Sequence, residues 1–356
     1  MTTIFAIKSL STLGGGAERV FAQIVNGLAK RGRDIKIVTF GSAGSGSFYP
    51  ISEHIPRRDL GSKTGGFVDP ITLRRGILAL DPRLVVAFMP SSYVPVSFAL
   101  LGSGVPVIAS EHNVPERYRR TVMKWSMLNA SALTTRRYTA VSEQMRDSYP
   151  WWVRRKMIVV PNPVSESSSV LADVGGTPNG KRLLAVGRLH PQKDHITLIR
   201  AFARIAEDFP DWHLRILGEG DERARLETEI RKLEVTERVQ LPGAVGSMAE
   251  EYAAAQLYVI PSLYESQGLA TVEAMAHGLP AIGFADCPGT NQIIIDGQTG
   301  TLVSPEPSRQ EALSAELARL MGDEGLRRSL AGGALAQDHG PKLETVLDLW
   351  DSLIGA

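Results

Sequence analysis

Short apolar runs alternate with amphipathic stretches from the N-terminus, and the same scheme restarts past the middle of the chain; nothing else in the sequence restricts the fold as much. "TIFAIKS", "DIKIVTF", "LVVAFM" and "PVIAS" are strand-length runs separated by helical periodicity. "RLLAVG", "WHLRILG", "VQLPG", "LYVIPS", "PAIGF", "IIIDG" and "GTLVS" repeat the scheme. Such alternation builds a parallel sheet covered on both faces, and 356 residues exceed what one core usually serves. The sequence therefore predicts an α/β chain of two Rossmann-like domains, residues 1–164 and 181–338, joined by an aperiodic Ser-, Gly- and Pro-rich linker over 165–180. Residues 339–356 read as a C-terminal helix. Its stripe of Leu343, Val346, Leu347, Trp350 and Leu353 must bury, and the helix is expected to pack back toward the N-terminal domain.

From Leu84 to Ser110 no residue is charged, and 27 such positions are long enough to span a bilayer. Pro90, Pro95, Gly102, Gly104 and Pro106 interrupt the stretch. Lipid punishes a broken backbone, so the stretch reads as buried strand, helix and buried strand. The net charge of +1 hides an asymmetry: residues 1–163 hold 22 Lys and Arg against 10 Asp and Glu, the remainder 17 against 28. The halves are expected to face different partners. The one cysteine, Cys287, excludes an internal disulfide framework and a Cys-based zinc cluster, and a reducing cytoplasm is the expected compartment. The first apolar run lacks a basic n-region and a cleavage site, so it reads as a strand and not as a signal peptide.

Three motifs fall where strands end, the end at which open parallel sheets bind ligands. "LGGGAER" follows the first strand; its glycines admit close backbone approach, and the helix N-terminus offers amides to an anion. Gly14-x-Gly16-x-x-Arg19 lacks the third glycine of a dinucleotide fingerprint, and the second strand ends "VTF" where an acidic ribose ligand is needed. A nicotinamide cofactor is therefore not expected. "AVGRLHPQKDH" puts Arg188 and Lys193 in one loop, a planar fork and a point charge that can flank a diphosphate, although two solvated cations are the commoner meaning of such a pair. The sequence holds no Asp-x-Asp pair for a phosphate-neutralising metal, so neither metal nor cofactor is expected. "YESQGLATVEAM" sets Glu265 before, and Glu273 within, a helix opened by Gly268. The amides of Gly268, Leu269 and Ala270 make an anion site and the carboxylates suit hydroxyl groups, a combination that fits a nucleotide sugar. On spacing alone, Glu265 is equally an exposed loop residue and Glu273 a favourable first-turn charge.

Taken in order, "GGAER", "SEHN", "VVPNPV", "VGRLHPQKD", "LGEGDE", "LPGAV", two glutamates separated by seven residues and "PGTNQIIIDGQTG" make the chain resemble the retaining glycosyltransferases of family 4. The resemblance covers nearly all residues and is strongest from Leu183 to Val303. It implies the GT-B fold, two facing Rossmann-like domains with parallel sheets and an interdomain cleft. It further implies that Gly15 and Gly16 approach the donor diphosphate, that Arg188 and Lys193 hold it, and that Glu265 binds the donor-sugar hydroxyls. Glu273 then takes the ribose, backbone near Val245 meets the base, and His112 lies beside the reacting sugar. The implied reaction moves a hexose or N-acetylhexosamine, with retention, from a UDP-linked donor to a polyprenyl-linked glycan in polysaccharide or glycoconjugate assembly, without a metal. Ser266-Gln267-Gly268 stands where the family often has Gly-Phe-Gly, and Gln292 where a glutamate is common. Both departures bear on the donor sugar. Two rival readings stay open: a glycosidase working through Glu265 and Glu273, and a non-catalytic nucleotide-sugar sensor.

The basic half has its own pattern. "PERYRRTVMKW" sets Arg117, Arg119, Arg120 and Lys124 along one predicted helix, and Trp151 and Trp152 stand beside Arg154, Arg155 and Lys156. Such a face suits an anionic membrane surface and a peripheral position on the inner side of the cell membrane, with no nucleic-acid partner. A merely solvated basic face is the alternative.

Overall fold

A computed structural model describes the chain except residues 1, 12–14, 42–45, 62–67, 120, 165–169, 177–179 and 356. The chain divides into two units, Met1–Pro163 with Pro341–Ala356, and Val164–Gly340. In the first, strands β1 (Thr3–Ile7), β2 (Ile35–Thr39), β3 (Arg57–Asp59), β4 (Leu84–Phe88), β5 (Val107–Ser110), β6 (Arg137–Ala140) and β7 (Met157–Val159) form a parallel sheet ordered β3-β2-β1-β4-β5-β6-β7. Around it run α1 (Gly16–Lys30), α2 (Pro70–Leu78), α3 (Pro90–Ala99), α4 (Glu116–Arg119), α5 (Val122–Ser131), α6 (Glu143–Ser148) and α7 (Trp151–Arg154). The uncharged stretch becomes β4, α3 and β5, as its proline and glycine breaks predict, and no described helix is long and apolar enough to cross a membrane.

The second unit repeats the plan with β8 (Lys181–Val186), β9 (Trp212–Leu217), β10 (Val239–Gly243), β11 (Leu257–Ile260), β12 (Ala281–Phe284) and β13 (Gly300–Val303), again parallel and ordered β10-β9-β8-β11-β12-β13. Its helices are α8 (His195–Ala203), α9 (Arg223–Lys232), α10 (Met248–Ala253), α11 (Leu269–Ala276), α12 (Thr290–Ile293), α13 (Arg309–Gly322) and α14 (Glu324–Ala336). In each sheet the order reverses beside the first strand, so the loops after β1 and β4, and after β8 and β11, flank a switch point. Local caps fix the helix starts. Ser308 accepts the N–H of Glu311 (3.2 Å) and donates to its carboxylate (3.0 Å), a reciprocal cap that opens α13.

Three expectations need revision. "IIIDG" is not a strand: α12 ends at Ile293, Ile294 is buried beneath β12 against Gly283, and only a bridge from Asp296 to Gly300 remains. The β-branched run reflects burial, which a helix end satisfies equally well. The predicted helix carrying the arginines is two, because Thr121 is extended (φ −124°, ψ 103°) between α4 and α5. In the stretch read as a linker, the described residues around Val174 pack on the second unit. Val174 is buried, and the buried Arg327 donates to its carbonyl (3.0 Å) and to those of Leu320 (2.7 Å) and Met321 (2.9 Å).

The last helix, α15 (Leu343–Gly355), belongs to the first unit. Val346, Leu347, Trp350 and Ile354 are its buried residues; Leu343 and Leu353 are half-buried, so the stripe is turned slightly from the one read in the sequence. Trp350 stacks on Phe88 at 5.8 Å and lies 6.1 Å from Phe5. Each such apolar side chain contributes about 1.5–3 kcal/mol on burial. The ion pairs of Arg31 with solvent-facing Glu344 and Asp348 add little beside that, so the apolar stripe holds the helix.

Candidate active site

In the second unit, the loop after β8 passes through a 3-10 turn, Pro191–Lys193, capped by His190, whose Nδ1 accepts the Gln192 N–H (3.2 Å). Asp194 follows in the left-handed region (φ 49°), which Asp tolerates better than most residues, and Thr197 Oγ1 donates to its carboxylate at 2.9 Å. The loop after β11 is bonded to this turn: Leu263 N–H donates to the Gln192 carbonyl (2.9 Å) and Gln192 Nε2 to the Tyr264 carbonyl (2.9 Å). These bonds bring Lys193 Nζ to 2.5 Å from Glu265 Oε1, and Ser262 Oγ donates to the same oxygen at 2.6 Å. Glu265 is buried, not an exposed loop residue. Its N–H donates to the Pro288 carbonyl (2.8 Å), and Gly289 (φ 86°) lies so close to the Glu265 carbonyl that no side chain fits there.

Gly268 caps α11 in the left-handed region (φ 57°), where an added Cβ would meet Ile293 at 2.8 Å. The first hydrogen bonds of α11 run from the N–H groups of Thr271 (2.8 Å) and Val272 (3.2 Å) to the Gly268 carbonyl. The amides of Gly268, Leu269 and Ala270 therefore precede the helix's own bonding, at its positive end. Glu273 is buried, and its Oε2 accepts from Tyr252 OH at 3.2 Å. Val245 lies half-buried in the loop after β10, against the cluster that contains Tyr252. Arg188 is half-buried and, among the described residues, makes no side-chain hydrogen bond or ion pair. The unit thus presents one cation paired with a carboxylate, one half-buried cation with no such partner, and a helix N-terminus, an arrangement able to take an anion flanked by hydroxyl groups.

Gly15, Gly16 and His112 lie in the first unit; Gly14 lies outside the described residues. Gly15 caps α1, and a side chain there would collide with the buried carboxylate of Glu18, whereas Gly16 faces open space. His112 follows β5 and stacks on Phe88 at 5.1 Å (21°), on the ring that also stacks on Trp350. Its Nε2 is 2.9 Å from Ser110 Oγ, which also accepts from Thr139 Oγ1 (3.0 Å). Burial pushes the imidazole down to about 4, and the ring is neutral at neutral pH. Met89, at the end of β4, holds φ 66°, a conformation that costs about 1–3 kcal/mol and clusters at functional sites.

Sequence reasoning passed over Glu111. It is fully buried, its Oε2 accepts from Tyr93 OH (2.6 Å), and its Oε1 accepts from the N–H groups of His112 and Asn113 (both 2.9 Å). Burial pushes the carboxyl up to about 7 despite those donors. The signal was present in "SEHN", a charged residue directly after a buried strand.

The basic residues spread over the surface of the first unit. Arg117 Nη1 donates to Asn113 Oδ1 (3.1 Å), Arg119 lies over Trp125 (5.4 Å) and Lys124 is exposed, while Arg120 lies outside the described residues. Trp152 Nε1 donates to Asn129 Oδ1 (2.9 Å), which joins α7 to the C-terminal end of α5, and Arg155 lies over Trp151 at 5.3 Å. Large apolar side chains stand exposed among them: Val122 at 80%, Met123 at 68% and Trp151 at 61%. Lys156 turns inward to the carbonyls of Ala132 (2.6 Å) and Thr135 (2.9 Å) and leaves the surface set. Among the described residues no group of three or more His, Cys, Asp or Glu could hold a metal.

Two family models match, glycosyltransferase family 4 over residues 14–168 and glycosyl transferases group 1 over residues 173–335. An exopolysaccharide phosphotransferase of Streptomyces coelicolor is 27% identical over a gapped alignment of 395 positions, which covers 99% of this chain but only 40% of that protein. Among solved structures, sucrose-phosphate synthase from Thermosynechococcus elongatus superposes with a TM-score of 0.83 at 20% identity, covering 100% of this chain and 98% of that one. HepE of Anabaena in complex with UDP and glucose superposes with a TM-score of 0.78 at 18% identity, covering 100% and 99%. The fold is GT-B, and with both of its units matched by these models the chain belongs to the family 4 glycosyltransferases.

Proposed function

We propose that the chain transfers a hexose or N-acetylhexosamine from a UDP-sugar, with retention, to a lipid-linked glycan acceptor in polysaccharide assembly. The observation that carries the donor side is Lys193 Nζ at 2.5 Å from the buried Glu265 Oε1, bonded across two loops in the unit that also holds the α11 N-terminus. HepE of Anabaena, solved with UDP and glucose, supports a uridine-linked donor. In this reading Arg188 and Lys193 hold the diphosphate with the amides of Gly268, Leu269 and Ala270. Glu265 takes hydroxyl groups of the donor sugar, Glu273 the ribose and backbone at Val245 the base.

Cleavage of the sugar–phosphate bond builds negative charge on the leaving diphosphate, and fixed cations and amides aimed at it lower the barrier by several kcal/mol. No metal is required for that work. The leaving phosphate oxygen takes the acceptor's proton, so no side-chain base is needed. His112, neutral and held by Ser110, presents its imidazole as a hydrogen-bond partner for a sugar hydroxyl.

The exposed Val122, Met123 and Trp151 among Arg117, Arg119, Lys124, Arg154 and Arg155 support docking on an anionic membrane surface, where a lipid-linked acceptor resides. Each cation near such a surface contributes about 1 kcal/mol, enough in sum for reversible binding. A thermal-unfolding screen of UDP- and GDP-sugars tests the donor, because a ligand of the folded state raises Tm by mass action. A UDP-sugar is expected to give the largest rise; protection by GDP-sugars alone would overturn the donor assignment.

A further inference from the structure

Arg309, the first residue of α13, belongs to none of the motifs singled out in the sequence, yet its guanidinium reaches the three loops that build the second unit's site. Nη2 donates to the carbonyls of Pro261 and Ser262, both at 3.1 Å, on the segment leading to Glu265, and the Ser262 hydroxyl in turn holds Glu265. Nε lies 3.6 Å from Asp194 Oδ2, on the residue next to Lys193. Nη1 donates to both oxygens of Asp286, at 2.7 and 2.9 Å, in the loop after β12 that continues to Pro288, whose carbonyl accepts the Glu265 N–H. The guanidinium carbon sits 3.6 Å from the centre of the Phe284 ring. A rigid planar fork with several donors can serve three loops at once and a flexible ammonium cannot.

We infer that Arg309 is a positioning residue which fixes Lys193 relative to Glu265 and thereby sets recognition of the donor's second phosphate, an inference that rests on the donor reading above. Arg309 touches neither Lys193 nor Glu265. It acts on Lys193 through Asp194, and on Glu265 through Ser262 and the Asp286 loop. The uridine end of the donor falls to Glu273 and Val245, which Arg309 does not contact.

Titration of wild type and Arg309→Ala with UMP and with UDP separates this role from a general structural one. The expected result is a loss of UDP affinity of ~10-fold with UMP affinity held within ~2-fold. In a Lys193→Ala background, adding Arg309→Ala is expected to change UDP affinity by less than ~2-fold, because the two residues act as one unit. Should the alanine variant fail to fold, Arg309→Lys keeps the charge without the fork and is expected to show the same selective loss. Equal losses for UMP and UDP, or undiminished UDP affinity in the Arg309 variant when wild type binds UDP, overturn the inference alone. A wild type that binds neither nucleotide overturns the donor reading and the inference with it.

Discussion

The two units carry opposite charge: the first holds 23 Lys and Arg against 13 Asp and Glu, the second 16 against 25. The proposed donor is an anion, and it is assigned to the acidic unit. On that assignment net charge would not select the ligand; placement would. At ~4 Å a charge pair is worth about 4 kcal/mol near a protein surface, whereas exposed charges beyond ~8–10 Å are screened by physiological salt. On the proposed reading, Arg188 and Lys193 would thus outweigh the scattered acidic surface around them. In the first unit the relation is reversed, since Lys124, Arg154 and Arg155 sit on the surface beside exposed apolar side chains. A domain's net charge speaks about the surface it meets, and the charges within its site about the chemistry it performs.

That contrast can be broken from either side. Arg188→Ala or Lys193→Ala in the second unit is expected to lower turnover at least ~100-fold, as loss of a donor to developing charge does elsewhere, with vesicle binding unchanged. Full activity in either variant would undo the diphosphate assignment. In the first unit, Glu111 is neutral at low pH and ionises in the folded state only near pH 7. Its folded pKa is raised, so the stability it contributes is present below about pH 4.5 and is lost as pH rises through about 7, an effect on the order of 3 kcal/mol. Glu111→Gln keeps an acceptor for the two amides and a donor for Tyr93, so the Tm of wild type should fall relative to the variant between about pH 5 and 8. A Tm difference that is flat over this range would show the carboxylate to be charged throughout.

Smaller effects concern the surface. Val122→Asp with Met123→Asp is expected to reduce sedimentation with anionic vesicles ~10-fold and to leave UDP binding intact. Lys124→Ala should cost ~5-fold at low salt and nothing measurable at high salt. If wild type pellets negligibly, and equally, with neutral and anionic vesicles at low salt, the basic face is only solvated.

Much of this was legible beforehand for a physical reason. Strand-length apolar runs and their breaks are local signals, so the two sheets, the division of the uncharged stretch and the Gly268 turn into α11 could be read directly. Glu265 and Lys193 stand 72 positions apart, yet each lies in the loop after one of two neighbouring parallel strands, β11 and β8, and chain topology implies their convergence. Arg309 and Ser262 carried no such signal, because their partners are loop carbonyls and a carboxylate fixed only by tertiary packing. "IIIDG" misled because a buried β-branched run has the same composition in a strand and at a helix end. The broken arginine helix misled because charge spacing is blind to the extended Thr121.

The central claim is that fixed cations of the second unit, and no metal, carry the leaving diphosphate. Donor turnover by the wild-type chain, measured in EDTA and again with added magnesium or manganese, tests it most directly. The account predicts the same rate under all three conditions. Turnover abolished by EDTA and restored by either ion would contradict it.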